Sequence, residues 1–264
     1  MKFIHLTDTH LIEGGVDLYG SNPNQRLRQA VAHLMAHQPD AQAVVITGDL
    51  THYGQADAYD QLRDILSPVP CPVHLILGNH DSRDTLKTYF PAIENDANGF
   101  IQYTKVFGDY LAIFLDTNEP GVSWGVFCEK RAEWLRQQLA SAQKPVLLFM
   151  HHPFFPIGIH SMDAISLRDT THFMNAIQGY ESRIHQVFFG HIHRPITGSY
   201  RNIPFFTLKG TNHQVALELH ADASEGIPGR LEAPQYAVVN LLPDQILIHS
   251  EDYLDEQPRF SLKG

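Results

Sequence analysis

Cysteine is nearly missing: there are two, Cys71 and Cys128, and their spacing fits no metal–thiolate pattern. They read as small buried apolar residues, because a bridge would be unusual in a reducing compartment. Cations are also scarce, with 19 Lys and Arg against 29 Asp and Glu and a formal charge of −10. Affinity for a nucleic-acid backbone comes mainly from Lys and Arg neutralising phosphates, so no nucleic-acid polymer is expected as partner. No stretch approaches the roughly 18 uninterrupted apolar residues of a spanning helix. The opening residues lack the basic start, apolar run and small-residue cleavage site of a signal peptide. A soluble cytoplasmic protein with no membrane partner is the expectation. A Gly-x-Ser-x-Gly elbow is missing too, so nothing marks a serine nucleophile.

What the chain does have is histidine, 17 in 264 residues. Many fall in five short blocks: Asp8-Thr9-His10, Gly48-Asp49, Gly78-Asn79-His80-Asp81, His151-His152 and Gly190-His191-Ile192-His193. Each block follows an apolar, strand-like run, at residues 3–6, 43–46, 73–77, 146–150 and 187–189. In an open α/β sheet, ligands collect at the carboxyl ends of strands, so the five blocks can converge on one rim. Two cations about 3.5–4 Å apart can clamp a phosphate and activate a water. Such a pair needs a bridging carboxylate, for which Asp49 is the natural choice. Asp8 and His10 are two apart on what reads as an extended segment, which lets both side chains point the same way. His191 and His193 share that spacing. Asn79 adds a neutral oxygen, which limits the negative charge facing an anionic substrate. Mixed imidazole, carboxylate and amide donors suit Fe, Mn, Zn or Co better than Mg or Ca.

With these motifs the chain resembles the calcineurin-like metallophosphoesterases, whose pattern is D-x-H, G-D, G-N-H-D, H and G-H-x-H. The resemblance spans about residues 1–215. It implies one metal held by Asp8, His10, Asp49 and His193, and a second held by Asp49, Asn79, His151 and His191. It also implies that His80 stands near the leaving-group oxygen or the phosphate. Leu18-Tyr19-Gly20 and Gly210-Thr211-Asn212-His213-Gln214-Val215 are similar to segments of the class III cyclic-nucleotide phosphodiesterases and the bacterial glycerophosphodiesterase close to them.

The apolar content of 43% is ample for a core. Asn22-Pro23 starts a first helix, since Asn caps and Pro suits the first helical position. Leu27, Ala30, Val31, Leu34 and Met35 then recur at helical spacing. Further helices are predicted over residues 55–66 and 129–141, and strands over 110–115, 196–200, 204–208, 235–241 and 245–250. The expected architecture is a four-layer α-β-β-α sandwich with two mixed sheets, folded as one domain over residues 1–264. Residues 154–167 read as a lid, in which Phe154, Phe155, Ile157 and Ile159 offer apolar surface to substrate. Residues 221–264 read as a C-terminal strand and dimerisation extension, and a homo-oligomer is expected.

The expected reaction is hydrolysis of a small phosphodiester, a cyclic nucleotide or a glycerophosphodiester, by hydroxide that two metals activate. Asp49 and His80 are the catalytic candidates, and His80, His213 and His160 the substrate-binding ones. Asp81 reads as a hydrogen-bonding support, His152 as support or packing, and Asp116 as a turn former. A phosphomonoesterase or nucleotide pyrophosphatase is the alternative on the same site. A non-catalytic interaction domain is a third reading, against which the complete ligand set speaks.

Overall fold

The computed structural model describes residues 1–220, 226–255 and 260–262. In chain order the elements begin with β1 (Lys2–Leu6), α1 (Pro23–His37), β2 (Val44–Thr47), α2 (Ala56–Leu66), β3 (Val73–Ile76) and α3 (Arg83–Tyr89). Next come β4 (Tyr103–Phe107), β5 (Tyr110–Phe114), α4 (Glu129–Ser141), β6 (Val146–Phe149), α5 (His160–Asp163) and α6 (Thr171–Ile177). The rest are β7 (Ile184–Phe188), β8 (Ile196–Tyr200), β9 (Ile203–Thr207), β10 (Gln214–Val215), β11 (Gly229–Arg230), β12 (Gln235–Leu241) and β13 (Ile246–Asp252).

Two mixed sheets form the centre. The five-stranded sheet runs β13-β12-β1-β2-β3, and the six-stranded sheet runs β4-β5-β6-β7-β9-β8. In the first, β1, β2 and β3 are parallel and β12 lies antiparallel on β1. In the second, β5, β6, β7 and β9 are parallel, with β4 and β8 antiparallel at the edges. The parallel strands therefore end on one rim, as the motif spacing requires.

Strand alternation shows how the layers stack. In β6 and just beyond it, Leu147 and Phe149 face the other sheet, while Val146, Leu148 and Met150 pack beneath α4 and α6. Ala112 and Phe114 against Ile113 and Leu115 repeat this for β5. Leu27, Val31 and Leu34 of α1 and Tyr59, Leu62 and Ile65 of α2 cover the outer face of the first sheet. Asn22 caps α1 as the sequence indicates, its Oδ1 accepting the Gln25 N–H at 2.9 Å. The four layers match the expected architecture.

Differences from the sequence reading lie where periodicity has little to work on. Helices α3 and α6 span 7 residues each, too few for a helical stripe to show. Residues 235–252, read as two strands of a C-terminal strand and dimerisation extension, form β12 and β13 of the first sheet: β12 pairs directly with β1, Lys2 opposite Asn240 and His5 opposite Ala237. Residues 221–225, 256–259 and 263–264 of the segment read as the extension lie outside the described residues.

The contact between the sheets is aromatic. The Phe149 ring stacks on Phe114 and on Phe188, at 4.8 Å for each, and meets Phe3 of β1 edge-on at 5.8 Å. Truncating such a ring loses transfer energy and leaves a cavity. Phe149→Ala should therefore cost about 3–5 kcal/mol. A urea melt should show a lower midpoint with unchanged slope; a loss below about 1 kcal/mol would mean the sheets do not lean on this stack.

Candidate metal centre

Residues 8–11, after β1, run alongside residues 48–50, after β2. The Asp8, His10 and Leu11 N–H groups donate to the carbonyls of Gly48, Asp49 and Leu50 at 3.1, 2.8 and 3.0 Å. The backbone here is not extended, as the two-residue spacing suggested. Asp8, His10, Asp49, His191 and His193 all take left-handed angles, with φ of 52°, 47°, 47°, 69° and 51°. Few non-glycine residues do so. Asp8 and His10 do converge, but by two kinks rather than by strand alternation. The glycines of the motifs permit close approach: a Cβ on Gly78 would sit 2.1 Å from Asp49 Oδ1, and one on Gly190 2.3 Å from Thr7 Oγ1.

Two donor sets meet at Asp49. Donor atoms of Asp8, His10, Asp49 and His193 all lie within 4.8 Å of one another. His10 Nε2 is 3.1 Å from His193 Nε2, and His193 Nε2 is 3.4 Å from Asp8 Oδ1. On the other side, Asn79 Oδ1 lies 3.3 Å from His151 Nε2 and 3.0 Å from His191 Nδ1. Asp49 Oδ2 is 3.4 Å from His10 Nε2 and also 3.4 Å from His151 Nε2. One carboxylate oxygen thus touches both sets.

The outer nitrogens fix which lone pairs face inward. His151 Nδ1 donates to the Thr47 carbonyl at 2.7 Å, and His193 Nδ1 to the His213 carbonyl at 2.8 Å. With each Nδ1 so committed, Nε2 is the atom left to face the cluster of ring nitrogens and carboxylate oxygens, as a metal ligand must. The donor chemistry fits divalent metal ions. Burial pushes the His10 and His191 rings well below the ordinary imidazole value, which keeps them in the neutral, ligating form. Burial also raises the Asp8 carboxyl. It acts the same way on Asp49, but the neighbouring imidazoles, His151 above all, outweigh it and hold that carboxyl well below the usual range. His151 is opposed by burial and carried up to about 9 mainly by Asp49.

Asp81 binds the loops together. Its carboxylate accepts from the N–H groups of Leu50, Thr51 and Gly78 at 3.1, 3.1 and 2.8 Å, and from Tyr59 Oη at 2.9 Å. Burial, with Asp49 adding to it, pushes Asp81 up to about 6. Asp116 does more than form a turn: it accepts Nε and Nη2 of Arg83 at 2.8 and 2.9 Å. His152 is buried, with Nδ1 2.8 Å from Thr117 Oγ1.

A cleft of about 470 Å³ opens over the cluster. His80 and His213 line it, as expected of substrate-facing residues, and His80 Nδ1 donates to the His52 carbonyl at 2.8 Å. His160 does not line it. It opens α5 as an exposed residue, whereas Met162, about 200° further round a helix, faces the cleft with Ile165. The lid reading needs correction as well. Phe154 and Phe155 are buried against Phe189, and Ile159 against Ile192 and Val215, so none of the three lines the cleft. The two phenyl rings pack instead on Phe173, Tyr200 and Phe205, between α6 and the β8–β9 end of the second sheet. Tyr19, Ile227 and Leu231 form the opposite wall, with Arg230 the one cation lining the cleft among the described residues. Sequence reasoning missed His52 and this wall. His52 follows Asp49 by three residues at a strand end, which is its one available signal.

The sequence profile of the calcineurin-like phosphoesterases matches residues 1–195. The chain belongs to this family. It is 41% identical to a probable cyclic nucleotide phosphodiesterase of Rhodopseudomonas palustris, over 99% of this chain and 96% of that one. It is 30% identical to a glycerophosphodiester phosphodiesterase of Enterobacter lignolyticus, over 81% of this chain and 79% of that one. In fold it is similar to a yellow lupin purple acid phosphatase, with a TM-score of 0.70 at 13% identity, covering 97% of this chain and 52% of the lupin one. No described helix is long and apolar enough to cross a membrane.

Because Asp49 Oδ2 touches both donor sets, Asp49→Asn should lower bound metal sharply for both sets together while the thermal melt stays near that of the parent. Metal analysis after dialysis is the measurement. Full metal content with activity retained would remove Asp49 from the centre.

Proposed function

We propose that this protein is a metal-dependent phosphodiesterase that hydrolyses a small phosphodiester, either a cyclic nucleotide or a glycerophosphodiester. The observation that carries the reading is the shared oxygen, Asp49 Oδ2, 3.4 Å from a histidine of each donor set. In this reading Asp8, His10, Asp49 and His193 hold one ion, and Asp49, Asn79, His151 and His191 hold the other, the ions being Fe, Mn, Zn or Co. Such a pair, when bound, supplies an activated water and charge neutralisation at the phosphate oxygens. The names of the relatives, cyclic nucleotide and glycerophosphodiester phosphodiesterases, support the substrate class.

The chain's own residues divide the remaining work. His80 has its Nδ1 committed to the His52 carbonyl, so Nε2 is the atom that can hold a proton for the departing alkoxide. General acid help of this kind contributes about 10²–10⁴-fold. The His213 ring lies against His10 and His193, with centroids at 4.9 and 4.5 Å, and bounds the space for the phosphoryl group. Met162, Ile165, Ile227 and Leu231 offer apolar contact to the second ester substituent, in the role first read into Phe154, Phe155, Ile157 and Ile159.

The distribution of cations favours a diester over a monoester, whose dianion carries one more charge. Arg83 is committed to Asp116, and Arg194 to the Val215 carbonyl and Glu232. Arg230 is the observation favouring the alternative, a phosphomonoesterase or nucleotide pyrophosphatase, since it is a cation in the cleft wall held by no more than a 3.9 Å ion pair with Glu232 among the described residues.

Metal-loaded protein assayed near neutral pH should cleave bis(p-nitrophenyl) phosphate and cyclic AMP well above p-nitrophenyl phosphate, with Mn²⁺ supporting turnover and chelators removing it. A preference for the monoester would favour the alternative.

His80→Ala should lower turnover by about 10²–10⁴-fold on diesters with poor leaving groups. The loss should shrink for p-nitrophenolate, which needs little protonation, and metal content should stay near that of the parent. An equal loss on both substrates would instead assign His80 to phosphate positioning.

A further inference from the structure

The outer nitrogens of three candidate ligands are bonded to partners of two kinds. For His151 and His193 the partner is a backbone carbonyl, of Thr47 and of His213. For His10 it is a side chain: its Nδ1 lies 3.0 Å from Nδ1 of His52. Two ring nitrogens facing each other share a single proton. His10 Nε2 points at Asp49 Oδ2 and His193 Nε2, at 3.4 and 3.1 Å, so it serves as a ligand only when its own proton sits on Nδ1. His52 Nδ1 must then be the acceptor, with the His52 proton on Nε2.

His52 reaches a second functional residue as well. Its carbonyl accepts His80 Nδ1 at 2.8 Å, and its ring stacks on the His80 ring at 4.7 Å and 16°. The residue is buried at 6% exposure, and its N–H donates to the Leu11 carbonyl at 2.8 Å, next to His10. A carbonyl partner cannot be removed by mutation, but this imidazole can.

We propose that His52 is a positioning residue: its Nδ1 sets the tautomer and ring orientation of His10, and its carbonyl and ring face hold His80. The proposal rests on the metal-dependent reading above. Groups that hydrogen-bond a metal-ligating histidine typically change metal affinity by about 10–100-fold when removed. The test is a calorimetric titration of chelator-stripped protein with Mn²⁺, comparing the parent with H52F, H52L and H52N. Phe keeps a flat ring over His80 but offers no acceptor, and Leu repeats that loss should the phenyl ring not pack. Asn places an acceptor oxygen near the lost Nδ1.

H52F and H52L should lose about 10–100-fold in Mn²⁺ affinity at one class of site, with H52N recovering most of it and the other class unchanged. Parental affinity in H52F and H52L, or H52N as weak as H52F, would overturn the assignment. The readout is separate from turnover. Parent protein that binds Mn²⁺ but cleaves no diester removes the phosphodiesterase reading and leaves the role of His52 standing, whereas parent protein that binds no Mn²⁺ removes both.

Discussion

Everything in the site depends on backbone that the chain would not adopt by itself. Five candidate ligands sit in left-handed conformation, at a cost of order 1–3 kcal/mol each for residues with a Cβ. The cost is met by the packing behind them. Residues 8–11 and 48–51 are zipped by backbone hydrogen bonds, Thr7 Oγ1 donates to Asp8 Oδ2 at 2.8 Å, and the His80 N–H donates to Asp49 Oδ1 at 2.9 Å. Asp81, with its three backbone donors and the Tyr59 hydroxyl, locks the second and third loops in register. The kinks aim carboxylates and imidazoles at common points, which regular strand ends would hold apart.

The same logic governs charge. A buried array of carboxylates and neutral imidazoles is unfavourable unless something positive completes it, because buried charge without a partner is heavily penalised. Nearby arginines do not fill that role. Arg83 is drawn to Asp116, whose carboxylate also accepts the Ile101 N–H at 2.9 Å, and Arg131 spans the Val126 and Asn118 carbonyls over the Phe100 ring. These cations brace the loops beside the cluster and leave its centre for metal.

How far the sequence discloses all this depends on the range of each interaction. Strand-end blocks and apolar periodicity are local, so the five motif blocks could be read from spacing, with the family resemblance implying Asp8, His10, Asp49, Asn79, His151, His191 and His193 as the ligands among them, and the start of α1 and the span of α4 could be read as well. Long-range choices were not legible. Whether Phe154 covers a sheet edge or a substrate depends on Phe189 and Tyr200, far along the chain, and His160 and Met162 lie on opposite sides of α5, so which of them meets the cleft depends on how that short helix is set down. The link from His10 to His52 requires the 8–11 and 48–51 segments to lie side by side, which no single window of sequence shows.

That division of range also separates chemistry from selection. The donor set lies entirely within residues 1–195, the part the family profile matches. Val215, Ile227, Arg230 and Leu231 lie beyond it, on or beside the short β10–β11 pair. That pair is anchored from behind, where the Ala216 N–H donates to the Pro228 carbonyl at 2.7 Å and Gln214 bridges the Gly210 carbonyl and the Glu232 N–H. The wall can therefore change sequence without disturbing any donor atom. On the proposed reading the second ester substituent meets Ile227 and Leu231 of this segment together with Met162 and Ile165 of the part the profile matches, so half of that apolar wall lies on backbone that carries no donor atom.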